Sequence, residues 1–238
     1  MELMIGLVSV VAGLVQGITG FGSGIVLMML LPIMYALPQA AGISIAICVF
    51  LNASMVLTYR KHVNFKKIIP PALLYVVICF FAMRFSTSVD QHLMKKIFGL
   101  FLLLLSVYYL FIAKNTKTEK FSLGISILFI FISALCDVFF GIGGPLMVLY
   151  FMSQTKEKQE YLGTITAFFL INGIYNTILR LINGILSMEY MLVILYGIVG
   201  IVLGGYLGKR VVNRIDSELL KKIVYVTIGL CGILNLIS

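Results

Sequence analysis

Tryptophan is absent from this chain, and charged side chains are scarce. Only 11% of the 238 residues are charged, whereas soluble domains carry about 25%. Hydrophobic residues make up 61% of the sequence, and the mean hydropathy is +1.10. This composition excludes a soluble globular domain and indicates an integral membrane protein with almost no extramembrane part.

Acidic residues, histidines and cysteine motifs are also few. The 18 Lys and Arg exceed the 9 Asp and Glu, but they lie in short connections, where they act as topology signals and not as a nucleic-acid surface. No histidine lies in an apolar run, and no C-x-x-C motif joins the four cysteines, which are Cys48, Cys79, Cys136 and Cys231. We therefore predict no disulfide framework, metal site or cofactor, no nucleic-acid partner and no enzymatic activity.

Six apolar runs approach the roughly 20 residues that an α-helix needs to cross a bilayer. They cover residues 39–59, 68–83, 97–113, 161–179, 190–208 and 223–237. Two further runs, 3–37 and 121–152, are too long for one crossing. The pattern predicts an all-α polytopic membrane protein.

Each of the two long runs is interrupted by a glycine-rich break. The first is Gly20–Gly24, and the second, Gly141–Pro145, follows 121 residues later. A broken helix at membrane depth leaves backbone groups that lipid cannot satisfy, so the break must line a cavity or be buried in protein. Two such breaks at corresponding positions in two halves of a chain indicate the binding site of a transporter.

The two halves match beyond the breaks. Gly42 pairs with Gly163 at the offset of 121, and Leu93–Ile97 pairs with Leu219–Ile223 at an offset of 126. We predict two repeats, 1–118 and 119–238, within one membrane domain. Because each repeat crosses the membrane an odd number of times, the two repeats have inverted orientations. Each repeat has a glycine-broken helical hairpin plus three transmembrane helices. The hairpin limbs, such as Leu3–Gln16, are about 13–14 residues long, short for a crossing.

Basic residues predict the orientation. If both broken segments enter and return on one side, 14 of the 18 Lys and Arg share a side, whereas single crossings divide them 10 to 8. The positive-inside rule favours the first arrangement. It places both termini outside and the loops that contain Lys66 and Lys117 in the cytoplasm.

The residues around the breaks resemble a known family. Gly13–Gly24 followed by Pro32 resembles the signature of the TauE/SafE family of sulfite-exporter-like anion permeases, also called the toluene sulfonate uptake permease family. Asp137–Pro145 resembles the second copy of that signature, and Gly204–Arg210 resembles a late Gly-x-x-x-Gly-x-Arg pattern. The resemblance covers the whole chain. It implies secondary transport of small sulfur-containing anions, such as sulfite, sulfonates or sulfoacetate, across the cytoplasmic (inner) membrane.

The breaks and nearby polar side chains are the candidate substrate site. A break exposes the first N–H groups of the half-helix that follows, and these donors favour an anion. The predicted substrate-binding residues are Gln16, Thr19, Gly20, Gly22, Ser23, Gly24, Asn52, Gly141, Gly143, Gly144, Asn172 and Asn176. The alternative is structural: close helix packing through small residues and interhelical hydrogen bonds between amides.

Asp137 is the only acidic residue deep in an apolar run, and charge there is functional by default. Three roles are open: a proton carrier, because burial disfavours its charged form; a partner for a coupling cation; or a helix cap. Gln16 occupies the equivalent position in the first half and is neutral. Arg84, Arg180 and Arg210 lie near the ends of apolar runs, where we predict snorkelling anchors, with an anion vestibule as the alternative.

These inferences predict a secondary anion transporter that is coupled to a proton or cation. A passive anion channel or facilitator with the same pore is the alternative, and a membrane-embedded enzyme or assembly factor is less favoured. The predicted partners are a small organosulfur or sulfur oxyanion and the lipid bilayer. A monomer and a homodimer both fit an exterior that is apolar all round.

Overall fold

A computed structural model describes residues 2–86, 89–108 and 121–211, together with positions 226, 229, 230, 232, 233 and 236. Helices account for most of these residues, and they confirm the all-α polytopic architecture. In chain order they are α1 (Glu2–Thr19), α2 (Ser23–Met34), α3 (Leu37–Tyr59), α4 (Phe65–Phe85), α5 (Gln91–Val107), α6 (Leu123–Phe140), α7 (Gly144–Gln154), α8 (Lys158–Ile182) and α9 (Met191–Val211). Short 3-10 turns precede α4 and α9, at Arg60–His62 and Met188–Tyr190. Lys117 and the predicted repeat match at Leu219–Ile223 lie outside the described residues.

Helix starts in the two halves keep the offsets seen in the sequence. Helices α6, α7 and α8 begin 121 residues after α1, α2 and α3, and α9 begins 126 residues after α4. The helix contacts pair up in the same way, since α1 packs on α9 while α4 packs on α6, and α3 packs on α8. The repeat boundaries and the inverted orientation stay predictions.

The limbs of each broken segment differ in length. Helices α1 and α6 have 18 residues each, and both are long and apolar enough to cross a membrane. Helices α2 and α7 have only 12 and 11 residues, or about 18 Å and 17 Å at 1.5 Å per residue. The prediction of two equally short limbs is wrong for the first limb, because α1 continues past Gln16 to Thr19.

Close packing of α1 on α9 explains the glycines of both helices. A Cβ added at Gly17 would lie 2.9 Å from the Gly205 carbonyl oxygen and 3.2 Å from the Gly208 Cα. A Cβ at Gly208 would lie 2.7 Å from the Leu14 carbonyl oxygen. The two backbones therefore touch, as small residues allow in membranes. The late glycine pattern is a packing element in this structure.

The exterior of the helices is apolar. Leu7 and Val11 on α1 and Leu73 and Val77 on α4 are all more than half exposed. Six of the described helices are long and apolar enough to cross a membrane: α1, α3, α4, α6, α8 and α9, in part with their 3-10 turns. The chain is therefore a multi-pass membrane protein whose exposed apolar side chains face lipid.

Candidate functional site

The two glycine breaks contact one another. A Cβ added at Gly24 would lie 3.1 Å from the Gly141 carbonyl oxygen. Three glycines of the breaks have positive φ, namely Gly20 at 85°, Gly22 at 99° and Gly141 at 64°. L-residues with a side chain rarely adopt this conformation, so these glycines let the chain reverse within a short distance. The meeting point joins the ends of α1 and α6 to the starts of α2 and α7.

A cavity of about 80 Å³ lies at this meeting point. It takes side chains or backbone from α1, α2, α3, α4, α6, α7 and α8, so both halves of the chain form its wall. The lining residues are Gln16, Phe21, Gly22, Ser23, Gly24, Ile25, Ser44, Ile45, Cys48, Asn52, Tyr75, Asp137, Gly141, Ile142, Gly143, Gly144, Phe169, Asn172 and Gly173. The volume holds several water molecules or one small anion.

Two helix N-termini open onto the cavity. The N-caps are Gly22 for α2 and Gly143 for α7, and among the described residues neither helix has a side-chain cap. The Val26 N–H makes the first bond inside α2, to Gly22 O at 3.1 Å. The N–H groups before it have no partner within the helix, and the dipole makes this end positive. Helix α2 thus presents backbone donors to the cavity. Helix α7 adds the N–H of Gly144, since Pro145 has no N–H. This arrangement is suited to an anion.

The wall from the first half contains a network of neutral groups. The Gln16 amide donates from Nε2 to Asn52 Oδ1 at 2.8 Å, and Gln16 Oε1 accepts the Ser23 hydroxyl. The Ser23 oxygen also lies 3.1 Å from the Cys48 sulfur. Gln16, Asn52 and Ser23 are all buried, so these contacts satisfy polar groups that lipid or an empty cavity would leave unpaired.

The wall from the second half carries a carboxylate. Asp137 is in the last turn of α6, and its Oδ2 accepts from Asn176 Nδ2 at 2.9 Å. A Cβ added at Gly143 would lie 2.8 Å from the Asp137 Cβ and would also meet the Tyr75 hydroxyl. The glycine at position 143 thus makes room for an acid and a phenol at the start of α7.

Arg180 is fully buried beside this carboxylate. Its guanidinium donates to the carbonyl oxygens of Val138 at 2.6 Å, Asp137 at 3.2 Å and Pro38 at 3.0 Å. The prediction that Arg180 is a snorkelling anchor is wrong, since none of its surface is exposed. Its cation instead stabilises the negative C-terminal end of α6 and ties that end to α3. Arg84 and Arg210 do lie near helix ends, stacked on the rings of Phe80 and Tyr206.

Two buried oxygens in the cavity wall have no strong partner among the described residues. Asn172 Nδ2 donates to Phe168 O at 2.8 Å, which leaves Asn172 Oδ1 unpaired. The Ser44 hydroxyl has only the weakly polar thiol of Cys48 beside it. Ser44 is 0% exposed and Asn172 is 2% exposed. A buried polar group without a partner costs about 1–3 kcal/mol, so such groups point to a ligand or a bound water.

All but three of the predicted site residues line the cavity. The exceptions are Thr19, which donates to Val15 O and Phe21 O; Gly20, which packs on Tyr161 and Leu162; and Asn176, which holds Asp137 from behind. Their role in substrate binding stays a prediction, as it does for the residues that line the cavity.

Sequence reasoning missed several cavity residues, notably Ser44, Cys48, Tyr75 and Phe169. Each lies within a long apolar helix, away from the glycine breaks. Helix α3 is apolar around most of its circumference, so hydropathy shows no inward face that would have selected Ser44. The position of Tyr75 beside a glycine of α7 follows only from the packing of α4 on α6.

A model of a known protein family matches this chain. The family model described as Sulfite exporter TauE/SafE matches residues 5–234, nearly the whole chain. Neither a curated protein nor a solved structure matches the chain.

Proposed function

Because the chain belongs to the sulfite exporter TauE/SafE family, we propose that it is a secondary transporter of small sulfur-containing anions in the cytoplasmic membrane. The substrate is sulfite, a sulfonate, sulfoacetate or an anion of similar size and charge. Transport is coupled to an ion that binds at Asp137. Family membership supports transport of a small anion; the substrate class and the coupling are our inference.

One observation carries the proposal: two helix N-termini that begin at glycines meet at one cavity. The first turns of α2 and α7 both line it. Backbone donors at a helix start bind anions without a cationic side chain. Since the donors belong to rigid helices, they are organised before the anion arrives, which lowers the entropic cost of binding.

The glycines set how close an anion can come. Gly22, Gly24, Gly143 and Gly144 carry no side chain between the backbone donors and the cavity. An oxyanion with several equivalent oxygens can accept from both helix starts at once. The space of about 80 Å³ favours a small head group over a bulky organic anion.

Asp137 supplies the coupling. An ionised carboxylate in the same small cavity repels an anion, so an ion that neutralises Asp137 raises anion affinity. Reciprocally, a bound anion raises the affinity for that ion. The buried cation of Arg180 balances Asp137 while the cavity is empty, and neutralisation of Asp137 leaves a net positive charge that attracts substrate.

Ligand-induced stabilisation tests the substrate class. We expect sulfite, thiosulfate, sulfoacetate or taurine to raise the thermal midpoint of the purified protein in detergent above that with acetate or lactate, because binding to the native state stabilises it by mass action. Gly24→Ala should remove the shift, since its methyl would crowd the Gly141 carbonyl. The matched control is Gly124→Ala, where an added Cβ meets nothing within 4 Å. Equal shifts with sulfur anions and carboxylates would contradict the proposal.

Proteoliposome flux tests the mechanism. A coupled transporter accumulates radiolabelled sulfite against its gradient when an ion gradient is imposed. A facilitator only equilibrates it. Equilibration without accumulation under every imposed gradient would reject ion coupling and leave a passive channel.

We also propose that both termini face outside, as the basic residues predict. In a cysteine-free background, Lys66→Cys should react with an impermeant maleimide only after the cells are opened. A cysteine placed before α1 should react in intact cells. Labelling of position 66 from outside would reverse the orientation.

A further inference from the structure

We propose that the wall formed by Asp137, Asn172 and Ser44 is a binding site for a monovalent metal cation, with sodium as the ion that fits best. The inference rests on the proposed function, because it names the ion that accompanies the anion. It starts from two unlike sets of groups that line the cavity. Backbone N–H groups at the helix starts are donors, whereas the side-chain oxygens of Asp137, Asn172 and Ser44, which we call the acceptor wall, are acceptors.

The acceptor wall has three oxygens from three helices. Asp137 comes from α6, Asn172 from α8 and Ser44 from α3, and all three residues line the cavity. Asn172 Oδ1 and Ser44 Oγ are the unpaired buried oxygens described above. Asp137 Oδ2 already accepts from Asn176, which orients the carboxylate. Carboxylate, amide and hydroxyl oxygens are the ligands that hard cations prefer.

The orientation of Asn172 is the strongest sign of a cation. Because its Nδ2 donates to Phe168 O at 2.8 Å, its amide group is fixed with the oxygen as the unpaired end. That oxygen cannot donate to an oxyanion. An anion in the cavity would therefore leave Asn172 Oδ1 unpaired, whereas a cation would use it.

The formal charge selects a monovalent ion. Among the described residues of the cavity wall, Asp137 is the single acid. Because Arg180 already balances this carboxylate, a monovalent cation adds one positive charge that the substrate anion can offset, whereas a divalent cation adds two. The neutral oxygens of Asn172 and Ser44 add ligands without adding charge. Water or an oxygen of the substrate anion would complete the coordination shell. Arg180, whose charge lies behind the Asp137 carbonyl, weakens cation binding, and a transported ion must also be released.

Helix ends support both ions. Asp137 is in the last turn of α6, near the negative end of that dipole, and its carboxyl group borders Gly143 at the start of α7. The N-terminal end of α2 is the helix end that stays open to the anion. Anions at half-helix N-termini and cations at carbonyl-rich ends recur in transporters built from broken helices. When the cation and the substrate anion bind together, their charges offset one another, as those of Asp137 and Arg180 do, and the loaded cavity is nearly neutral.

The test is the thermal midpoint of the full chain in detergent, titrated with NaCl against KCl, LiCl, NH4Cl and choline chloride at constant ionic strength. We expect a saturable increase with sodium and an apparent sodium affinity that sulfite raises at least threefold. Asp137→Asn, Asn172→Ala and Ser44→Ala should each lower sodium affinity at least tenfold. Ser9→Ala is the matched control, because Ser9 is also a fully buried serine without a partner among the described residues, but it does not line the cavity.

Each alternative has its own outcome. Equal effects of sodium and choline would overturn the metal site and leave bound water as the partner of the two oxygens. Stabilisation by ammonium and not by sodium would overturn the metal site and show that the oxygens of the acceptor wall accept hydrogen bonds from an N–H donor. If sulfite stabilises the protein with no sodium effect, the cation site fails and the anion transporter stands. If sodium stabilises it and no sulfur anion does, the proposed substrate class fails and the cation site stands. Should Asp137→Asn not fold, Ser44→Ala and Asn172→Ala decide the question.

Discussion

The first and second breaks share a plan and differ in chemistry. At the first, Gln16 is held by Asn52 and by Ser23, and the whole set is neutral and paired. At the second, the equivalent position holds Asp137, which is held by Asn176. A buried arginine lies behind it, and Asn172 of the same repeat has an unpaired oxygen. One repeat therefore supplies mainly neutral, paired groups, and the other supplies the charge on which coupling depends.

The difference teaches how a duplicated architecture becomes asymmetric. Both halves need a polar group at the end of their first helix, because the break that follows must be supported by hydrogen bonds. An amide meets that need without a net charge. A carboxylate meets it only with compensation, since a charge at membrane depth costs several kcal/mol. Arg180 provides that compensation in the second half. The equivalent residue of the first half is Tyr59.

The largest expected effect comes from removing this compensation. Arg180→Leu should destabilise the protein by about 3–5 kcal/mol, because it leaves three carbonyl contacts unmade and the Asp137 charge unbalanced. The measurement is the thermal midpoint and the yield of monodisperse protein in detergent. Arg84→Leu is the control, since Arg84 is exposed over Phe80, and it should cost about 1 kcal/mol or less. Equal losses from the two variants would show that Arg180 has no special structural role.

Glycines of the two breaks should differ in what they tolerate. Gly143→Ala should reduce sulfite transport at least tenfold, because its methyl would collide with Asp137 and Tyr75. At Gly22 the constraint is the backbone, and an added Cβ meets only Val15 at 3.6 Å. Gly22→Asn should lose less transport than Gly22→Leu, because asparagine accepts positive φ at low cost, while Gly22→Leu should abolish transport with membrane insertion intact. The measurement is sulfite uptake by each variant, normalised to the amount of protein in the membrane. Full activity of Gly143→Ala would show that the second break is not the site.

Exchanging the charge between the breaks tests the functional asymmetry. Asp137→Asn should abolish ion-driven accumulation of sulfite, while sulfite binding and counter-exchange continue. Gln16→Glu adds a second carboxylate to the cavity and should lower sulfite affinity about tenfold, or about 1.4 kcal/mol, by repulsion. Gln16→Met is the uncharged control. Gradient-driven uptake by Asp137→Asn at the wild-type rate would reject Asp137 as the coupling residue and leave it a structural role.

The smallest effect is expected far from the breaks. Lys67 on α4 and Glu160 on α8 form an ion pair at 2.5 Å that joins the two halves, with side chains 29% and 22% exposed. Partly exposed pairs contribute about 0–1 kcal/mol, so Glu160→Gln should change the thermal midpoint slightly and leave sulfite affinity unchanged. A loss of transport comparable to that of Asp137→Asn would indicate that this contact takes part in the transport cycle.

The sequence by itself determined the membrane class, the two breaks, the family and most residues around the cavity. Apolar runs and glycine clusters are local properties, and a lone acid such as Asp137 stands out against them. Only the tertiary structure showed that the breaks touch, that α1 is a full-length limb, that Arg180 is buried and that Ser44 and Tyr75 reach the cavity. Helices bound for lipid are apolar on both their lipid and protein faces, so hydropathy does not mark which side chains point inward. Which side chains point inward depends on where the glycines of one helix let the backbone of another helix approach. The sequence of a single helix does not contain this information.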